Sequence, residues 1–508
     1  MRGNPRSIVR AISCSHPRPI ARPALCGVRW STTDSRQWST PLAKSLSEAI
    51  STTGPVSVAA YMRQCLTSPD GGYYTSRTNG HDQFGQKGDF VTSPEISQIF
   101  GELVGVWVVA EWMAQGKIGS GVQIMEVGPG RGTLMDDMLR TIRNFKSMAA
   151  SIEAIYMIET STSLREAQKK LLCGDALMEE IDIGFQSTCK YLDQTKIIWC
   201  EDIRFLPKDG TKSPFIIAHE FFDALPIHIF QSVAPTPNNM PIMTPTGPIA
   251  RPRDSKPNLW RELLVSPTPP PSSTTSTPPS APPLEFQLSL STAPTPHSTY
   301  LPLTSPRYAA LSATPNSVIE ISPESLSYAS DFAIRIGGST KTPETHKPTP
   351  SGAALILDYG PSSTIPTNSL RGIRAHKPVS PFSHPGAVDL SADVDFLALA
   401  ESAIAASPGV EVHGPVEQAF WLSAMGIRER AEMLLNKAKR EMVAQHQENM
   451  EAEDSVAMKL KRIESGWKRL VDRGPTGMGR IYKAMAILPH VPGKEGRRPV
   501  GFGGDVTL

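Results

Sequence analysis

The stretch Ile124–Leu134, IMEVGPGRGTL, decides the reading of this chain. An apolar run ends in Glu126, glycines follow at 128, 130 and 132, and LMDDMLRTI then continues with helical periodicity. Alternate glycines after a buried strand let the backbone turn tightly and approach a ligand with no Cβ in the way. The spacing is G-x-G-x-G, whereas a dinucleotide fingerprint needs G-x-G-x-x-G and a phosphate-cradling loop needs G-x-x-x-x-G-K-[ST]. Pro129 also removes one N–H from the turn. A nicotinamide-dependent oxidoreductase is therefore disfavoured.

An acid just before the glycines would repel a pyrophosphate but suits a cationic amino-acid group. That points to S-adenosylmethionine, whose aminoacyl end and sulfonium are positive. Two further acids fall at successive strand ends. Glu159 closes the run AIYMIE and can accept both ribose hydroxyls, and Asp202 follows KIIWC where it could meet an adenine amino group. Ordinary polar residues at strand ends are the bland alternative for all three.

Working outward, the strand candidates are Val122–Val127, Ala154–Glu159, Lys196–Cys200, Phe215–Ala218 and Ala353–Asp358, with Ile481–Leu488 as a final strand. Apolar strands separated by helical stretches imply a mostly parallel sheet covered on both faces, a Rossmann-like α/β class. Upstream, Ser57–Cys65 reads as a helix start, and Thr92-Ser93-Pro94-Glu95 as a helix entrance with Ser93 as N-cap. Gln418–Leu435 is helical, and Asn436–Arg473 reads as one long, charged, exposed helix.

After the fourth strand comes His219-Glu220-Phe221-Phe222-Asp223-Ala224-Leu225-Pro226. Methyl transfer to nitrogen needs a nucleophile held in line with the methyl carbon and freed of its proton. Glu220 can clamp a guanidinium, with Asp223 or His219 as second anchor or proton acceptor. Asp223 as a helix cap, and Phe221 and Phe222 as core residues, are the structural alternatives.

The chain has 508 residues and 47 prolines, 20 of them between Pro235 and Pro315 among Ser and Thr. This stretch reads as a poorly packed insertion spanning 233–350, with 267–283 disordered. Trp260–Val265 and Phe286–Ser291 could pair within it as a small antiparallel elaboration, and Pro315–Gly338 recovers a helical pattern. A net charge of +2 argues against gripping nucleic acid by bulk electrostatics. No apolar run is long enough to read as a membrane span. Cys14, Cys26, Cys65, Cys173, Cys189 and Cys200 are scattered, which excludes a disulfide framework or a zinc knuckle. Asp389, Asp393 and Asp395 lack the Gly and Glu of a calcium loop, and His376, His384 and His413 show no ligand spacing, so no metal is expected. Residues 1–33 carry six arginines and no acid, the pattern read by mitochondrial import, with cleavage near residue 30.

The chain resembles the MidA-like family of mitochondrial complex I assembly factors, class I protein arginine methyltransferases. The matching motifs are GGYYTSR with FGQKGDFVTSPEISQIFGELVGVW, MEVGPGRGTL, HEFFDALPIHIF, LILDYG, LRGIRAHK with HPGAVDLSADVDF, and MGRIYKAMAI. The resemblance implies one methyltransferase domain over residues 45–490, with an antiparallel strand at one end of its sheet. It implies S-adenosylmethionine on Gly128, Gly130 and Gly132, with Asp89, Thr92 and Ser93 lying over the cofactor and Asp358-Tyr359-Gly360 at the pocket floor. The implied product is a symmetrically dimethylated arginine on the 49 kDa iron–sulfur subunit of complex I, made in the mitochondrial matrix. His219 stands where the family pattern suggests Asn. A non-catalytic assembly chaperone on the same fold, contacting complex I assembly intermediates, is the competing function.

Overall fold

Short apolar runs between helices build a sheet here because each run can bury both faces at once. Val122 and Ile124 face one apolar cluster with Phe100, Trp107, Leu134 and Met138, while Met125 and Val127 face a second with Phe332, Ile336, Phe396 and Leu399. This alternation is the period of two that a pleated strand imposes. The structure, a computed structural model, describes residues 36–75, 89, 91–234, 242–244, 247–249, 258–269, 284–339, 341, 345–445, 450–491, 493 and 497–503. The segment 1–30, read above as import signal, and residues 270–283 of the tract read as disordered lie outside them; the start of that tract is ordered, since Pro267 ends a strand and Thr268 N donates to Glu285 O at 2.9 Å.

Five parallel strands form the centre of a nine-stranded sheet, in the order Lys196–Cys200, Ile152–Ile158, Val122–Val127, Ser213–His219 and Ala353–Tyr359. The chain moves outward from Val122–Val127 in one direction, then returns to its other side at Ser213–His219. That reversal is a topological switch point, where a crevice opens beyond the carboxyl ends of the strands. The glycine turn and the HEFFDALP segment are the loops that leave these two neighbouring strands. Tyr482–Pro489 adds an antiparallel strand beside Ala353–Tyr359, as expected, and Val410–Glu417 extends it.

Three strands of this nine-stranded sheet were not legible. Val410–Glu417 contains Gly414-Pro415 and a register irregularity between His413 and Val416, features that read as a turn. Glu179–Ile181 and Gly184–Thr188 form an edge hairpin in which Ser187 alone is buried, so no apolar run announces it.

The proline-rich segment corrects the sequence reading most. Leu259–Pro267 pairs antiparallel with Phe286–Leu290 as expected, but it also joins His228–Val233 and Val56–Ser57, and Val318–Ile321 completes a five-stranded second sheet. Phe230, Leu301, Tyr308 and Ile319 are buried on one of its faces, and helix Pro323–Gly337 packs Phe332 and Ile336 into the main core. The described part of this segment is thus folded: proline sits at helix starts, as in Pro296, Pro306 and Pro323, where its missing N–H costs nothing.

Two helix expectations also shift. The N-cap of Ser93–Ile96 is Thr92, not Ser93, and Glu95 reaches back to accept from the Thr92 N–H at 3.3 Å. The charged stretch is two helices, Ile427–Gln445 and Met450–Val471, which pack together with Lys459 and Glu441 paired at 3.0 Å.

Candidate active site

At the switch point lies a cavity of about 930 Å³, within the range of small-molecule sites. One end is the glycine turn. Gly128, Gly130 and Gly132 all have positive φ, and a Cβ on Gly128 would sit 2.7 Å from the Phe221 ring. All three positions therefore favour glycine conformationally, and Gly128 requires it sterically as well.

Glu126 is 2 % exposed, and its Oε2 has no hydrogen-bond partner among the described residues. Burial, with the nearby Glu159 charge, pushes its pKa up to about 8. Burial likewise raises Glu159 to about 7, against hydrogen bonds from Ser161 N at 2.7 Å and Gln168 Nε2 at 3.1 Å. Gln168 also donates to Gly130 O at 2.6 Å and accepts from Trp199 Nε1 at 2.9 Å. This one buried amide locks the glycine turn to the acid at the next strand end. Sequence reading missed it because a glutamine inside a helix carries no motif.

The expected cofactor residues divide. Glu126, Gly128, Gly130, Glu159 and Thr92 line the cavity, and Gly132 stands at the start of the following helix, against Gln168. Asp202 does not line it: it accepts from Arg204 N at 2.8 Å and from Arg204 Nε at 2.9 Å, capping a short turn, while its neighbour Glu201 faces the cavity. Asp89 and Ser93 are not on the wall either. Asp89 accepts from Tyr73 Oη at 2.8 Å and Ala375 N at 2.7 Å, joining two loops, and Ser93 is fully buried below Thr92.

The other end is acidic. Glu220 has φ of +48°, a left-handed conformation that costs a non-glycine residue about 1–3 kcal/mol and marks functional sites. Its Oε1 lies 3.3 Å from His219 Nε2, outside hydrogen-bond geometry, and Tyr482 hydrogen-bonds its carboxylate. Burial holds its pKa well above the usual carboxylate range, reinforced by Asp223. Asp223 is raised by burial and accepts from Tyr359 Oη; no helix follows it, so the capping alternative fails. Below them Asp358 accepts from Phe221 N at 3.1 Å and Phe222 N at 2.9 Å, which fixes the loop. Asp389, bonded by Tyr74 Oη at 2.9 Å, is raised by burial to about 8. Arg371 lies over the Tyr359 ring at 4.4 Å and pairs with Asp393 at 2.7 Å. Burial lowers His219 to about 3, so its imidazole is neutral. Phe222 is core, whereas Phe221 is cavity wall.

Nine acidic and four basic residues line the cavity. Such a site favours cations at both ends. Residues 103–416 match the family model described as "Putative S-adenosyl-L-methionine-dependent methyltransferase". The chain belongs to the MidA-like methyltransferase family. Its cofactor is S-adenosylmethionine. The chain is 34% identical over 454 residues to "Protein arginine methyltransferase NDUFAF7, mitochondrial" of Rattus norvegicus, covering 89% of this chain and 85% of the relative. The Homo sapiens protein of the same name is 33% identical over 461 residues, covering 90% and 86%. A crystal structure from Burkholderia thailandensis, bound to S-adenosyl-homocysteine, superposes with a TM-score of 0.58 at 20% identity, over 92% of this chain and 93% of that one. That likeness supports the sheet architecture.

The residues present fit this cofactor. The unpartnered buried Glu126 Oε2 is free to accept from an ammonium, whose positive charge would favour the ionised carboxylate, Glu159 keeps lone pairs for hydroxyl donors, and Gly128 leaves room where a side chain would collide with Phe221. Among the described residues no helix is long and apolar enough to cross a membrane.

Proposed function

We propose that this protein is a protein-arginine ω-N-methyltransferase acting in the mitochondrial matrix on the 49 kDa iron–sulfur subunit of complex I, leaving symmetric dimethylarginine and so promoting complex I assembly. The observation that carries the reading is the acidic end of the cavity. Glu220, Asp223 and Asp389 face one space over Asp358, an arrangement that a neutral acceptor would leave uncompensated and a guanidinium would neutralise. The names and mitochondrial designation of the relatives support the reading, as does the resemblance to the complex I assembly family.

Bound S-adenosylmethionine supplies an electrophilic methyl group. The chain supplies everything else. Glu126 and Glu159 hold the cofactor's ammonium and ribose hydroxyls. Glu220 and Asp223, on one tight loop, receive the guanidinium by charged hydrogen bonds and turn one nitrogen toward the methyl. Their raised pKa values equip one of them to take the proton that nitrogen loses as its bond to carbon forms, while the neutral His219 packs against Glu220 and adds no positive charge. Phe221 and Tyr328, with ring centroids 4.9 Å apart, wall the cavity and exclude water.

The test is mass spectrometry of the purified subunit after incubation with this protein and S-adenosylmethionine. Symmetric dimethylation is expected; an unmodified subunit, with cofactor binding intact by calorimetry, would favour the chaperone reading.

A further inference from the structure

The second sheet carries a group of side chains that the methyltransferase site does not use. His228 lies on strand His228–Val233, and Glu262 pairs in register with Phe230, two residues along. His228 and Glu262 therefore project from the same face of the sheet. Thr295 then caps the helix Pro296–Tyr300, and its Oγ1 donates to Glu262 Oε2, which brings His297 over the pair. His228 Nδ1 is 2.7 Å from Glu262 Oε1, and His297 Nδ1 is 3.8 Å from Glu262 Oε2. The three ligand atoms all lie within 4.8 Å of one another. The imidazole centroids are 4.1 Å apart.

Glu262 is the feature that needs explaining. Its side chain is 1 % exposed, and its ion-pair partners among the described residues are these two histidines, with no lysine or arginine. A buried carboxylate is costly unless a cation compensates it. Two imidazole nitrogens and one carboxylate form the donor set that three-ligand zinc sites use, with a fourth position left for water. Imidazole favours zinc and its borderline neighbours over calcium or magnesium, which prefer all-oxygen shells. The surroundings are those of a held site: the Glu262 N–H donates to Ser291 Oγ at 3.1 Å, its carbonyl accepts from Ser291 N at 2.8 Å, and Phe230 stacks beside His228 with an interplanar angle of 7°. The His297 side chain is 52 % exposed and gives an entry path from solvent.

We propose that His228, Glu262 and His297 bind one Zn²⁺ ion, which pins two strands of the second sheet to the helix that follows them. Binding replaces the hydrogen shared between His228 Nδ1 and Glu262 Oε1, and that proton leaves to solvent. The three ligands come from three separated segments, strand His228–Val233, strand Leu259–Pro267 and helix Pro296–Tyr300, so the ion cross-links chain that is far apart in sequence. The expectation of no metal rested on Asp389, Asp393 and Asp395, which lack a calcium-loop pattern, and on His376, His384 and His413, which lack ligand spacing; His228, Glu262 and His297 are spaced too widely to form a sequence motif.

The test uses untagged full-length protein stripped of metal by chelation. Titration with Co²⁺ alone, as a spectroscopic probe for zinc, is expected to give a ligand-field absorption that saturates at one equivalent per chain and is displaced by Zn²⁺. His297→Ala, an exposed change, and Glu262→Gln are each expected to weaken Co²⁺ binding at least tenfold. Zn²⁺ is expected to raise the melting temperature of the stripped wild type and to leave that of His297→Ala unmoved. Wild-type protein without the absorption, or His297→Ala binding Co²⁺ as the wild type does, overturns the proposal. Methyl transfer is read in parallel, and His297→Ala is expected to retain it, so failure of the metal site is distinguishable from failure of the enzymatic reading.

Discussion

The two ends of the cavity are both acidic, yet they are built in opposite ways. The cofactor end draws on one βαβ unit and the helix that follows it: Glu126, the glycine turn, Glu159, and Gln168 on helix Thr162–Cys173 tying them together. The acceptor end gathers Tyr74, Glu220, Asp223, Asp358, Tyr359, Arg371, Asp389 and Tyr482 from segments hundreds of residues apart. A local construction gives a fixed seat for a cofactor that never changes. An assembled one gives a charge cluster whose geometry depends on how two sheets and several loops meet. The difference teaches that cofactor binding and acceptor chemistry can be damaged separately.

Glu220→Gln should produce the largest separation. It keeps the shape of the loop and removes the charge, so kcat is expected to fall about 10²–10⁴-fold, while calorimetric affinity for S-adenosylmethionine stays unchanged. A weakened affinity would show that the two ends are one unit. Glu159→Ala should do the converse, weakening cofactor binding by roughly 10–100-fold through loss of a charged hydrogen-bond acceptor, with acceptor-peptide binding retained in a pull-down. Gln168→Ala should raise the KM for the cofactor by about tenfold, as for loss of one or two buried hydrogen bonds, and leave kcat within error. A fall in kcat instead would mean that the amide serves the acceptor end too.

The subtlest test is pH. Glu126 and Asp389 are raised to about 8 and Glu159 to about 7, from ordinary values near 4. Between these limits the folded protein retains protons that the unfolded chain has released, so stability is present at low pH and is lost as pH rises toward 8. The ligand-free melting temperature should decline from pH 5 to pH 8. S-adenosylhomocysteine, which brings an ammonium to Glu126, should flatten part of that decline, and an arginine peptide should flatten a different part. Identical flattening by either ligand would break the distinction between the ends.

The same contrast explains what could be read from sequence. Val122–Val127 and Lys196–Cys200 were legible to the residue because apolar strands flanked by glycine or acid have few alternatives. Glu126, Gly128, Gly130 and Glu159 were legible as cavity-lining residues because their places are set by position at a strand end. Asp202 and Glu201 show the limit: adjacent residues face opposite ways after a strand end, and a hydrogen bond to Arg204 N decides which one turns from the cavity. Tyr482 was not legible as a partner of Glu220, nor Tyr359, Arg371 and Asp389 as neighbours of Asp223, since only the tertiary fold brings them together. The second sheet was hidden for another reason. Among its described prolines, Pro296, Pro306 and Pro323 lie at helix starts, and composition alone cannot tell a folded proline from an unfolded one.

The left-handed backbone at Glu220 sets durability against activity. Glycine would occupy that conformation without strain and would remove a buried carboxyl from a crowded acidic neighbourhood. Glu220→Gly should therefore melt at a higher temperature than the natural protein while transferring no methyl groups. Selection for hardiness alone would favour glycine at this position and a tougher, inert shell, so a glutamate there carries a cost in stability that the proposed chemistry would offset.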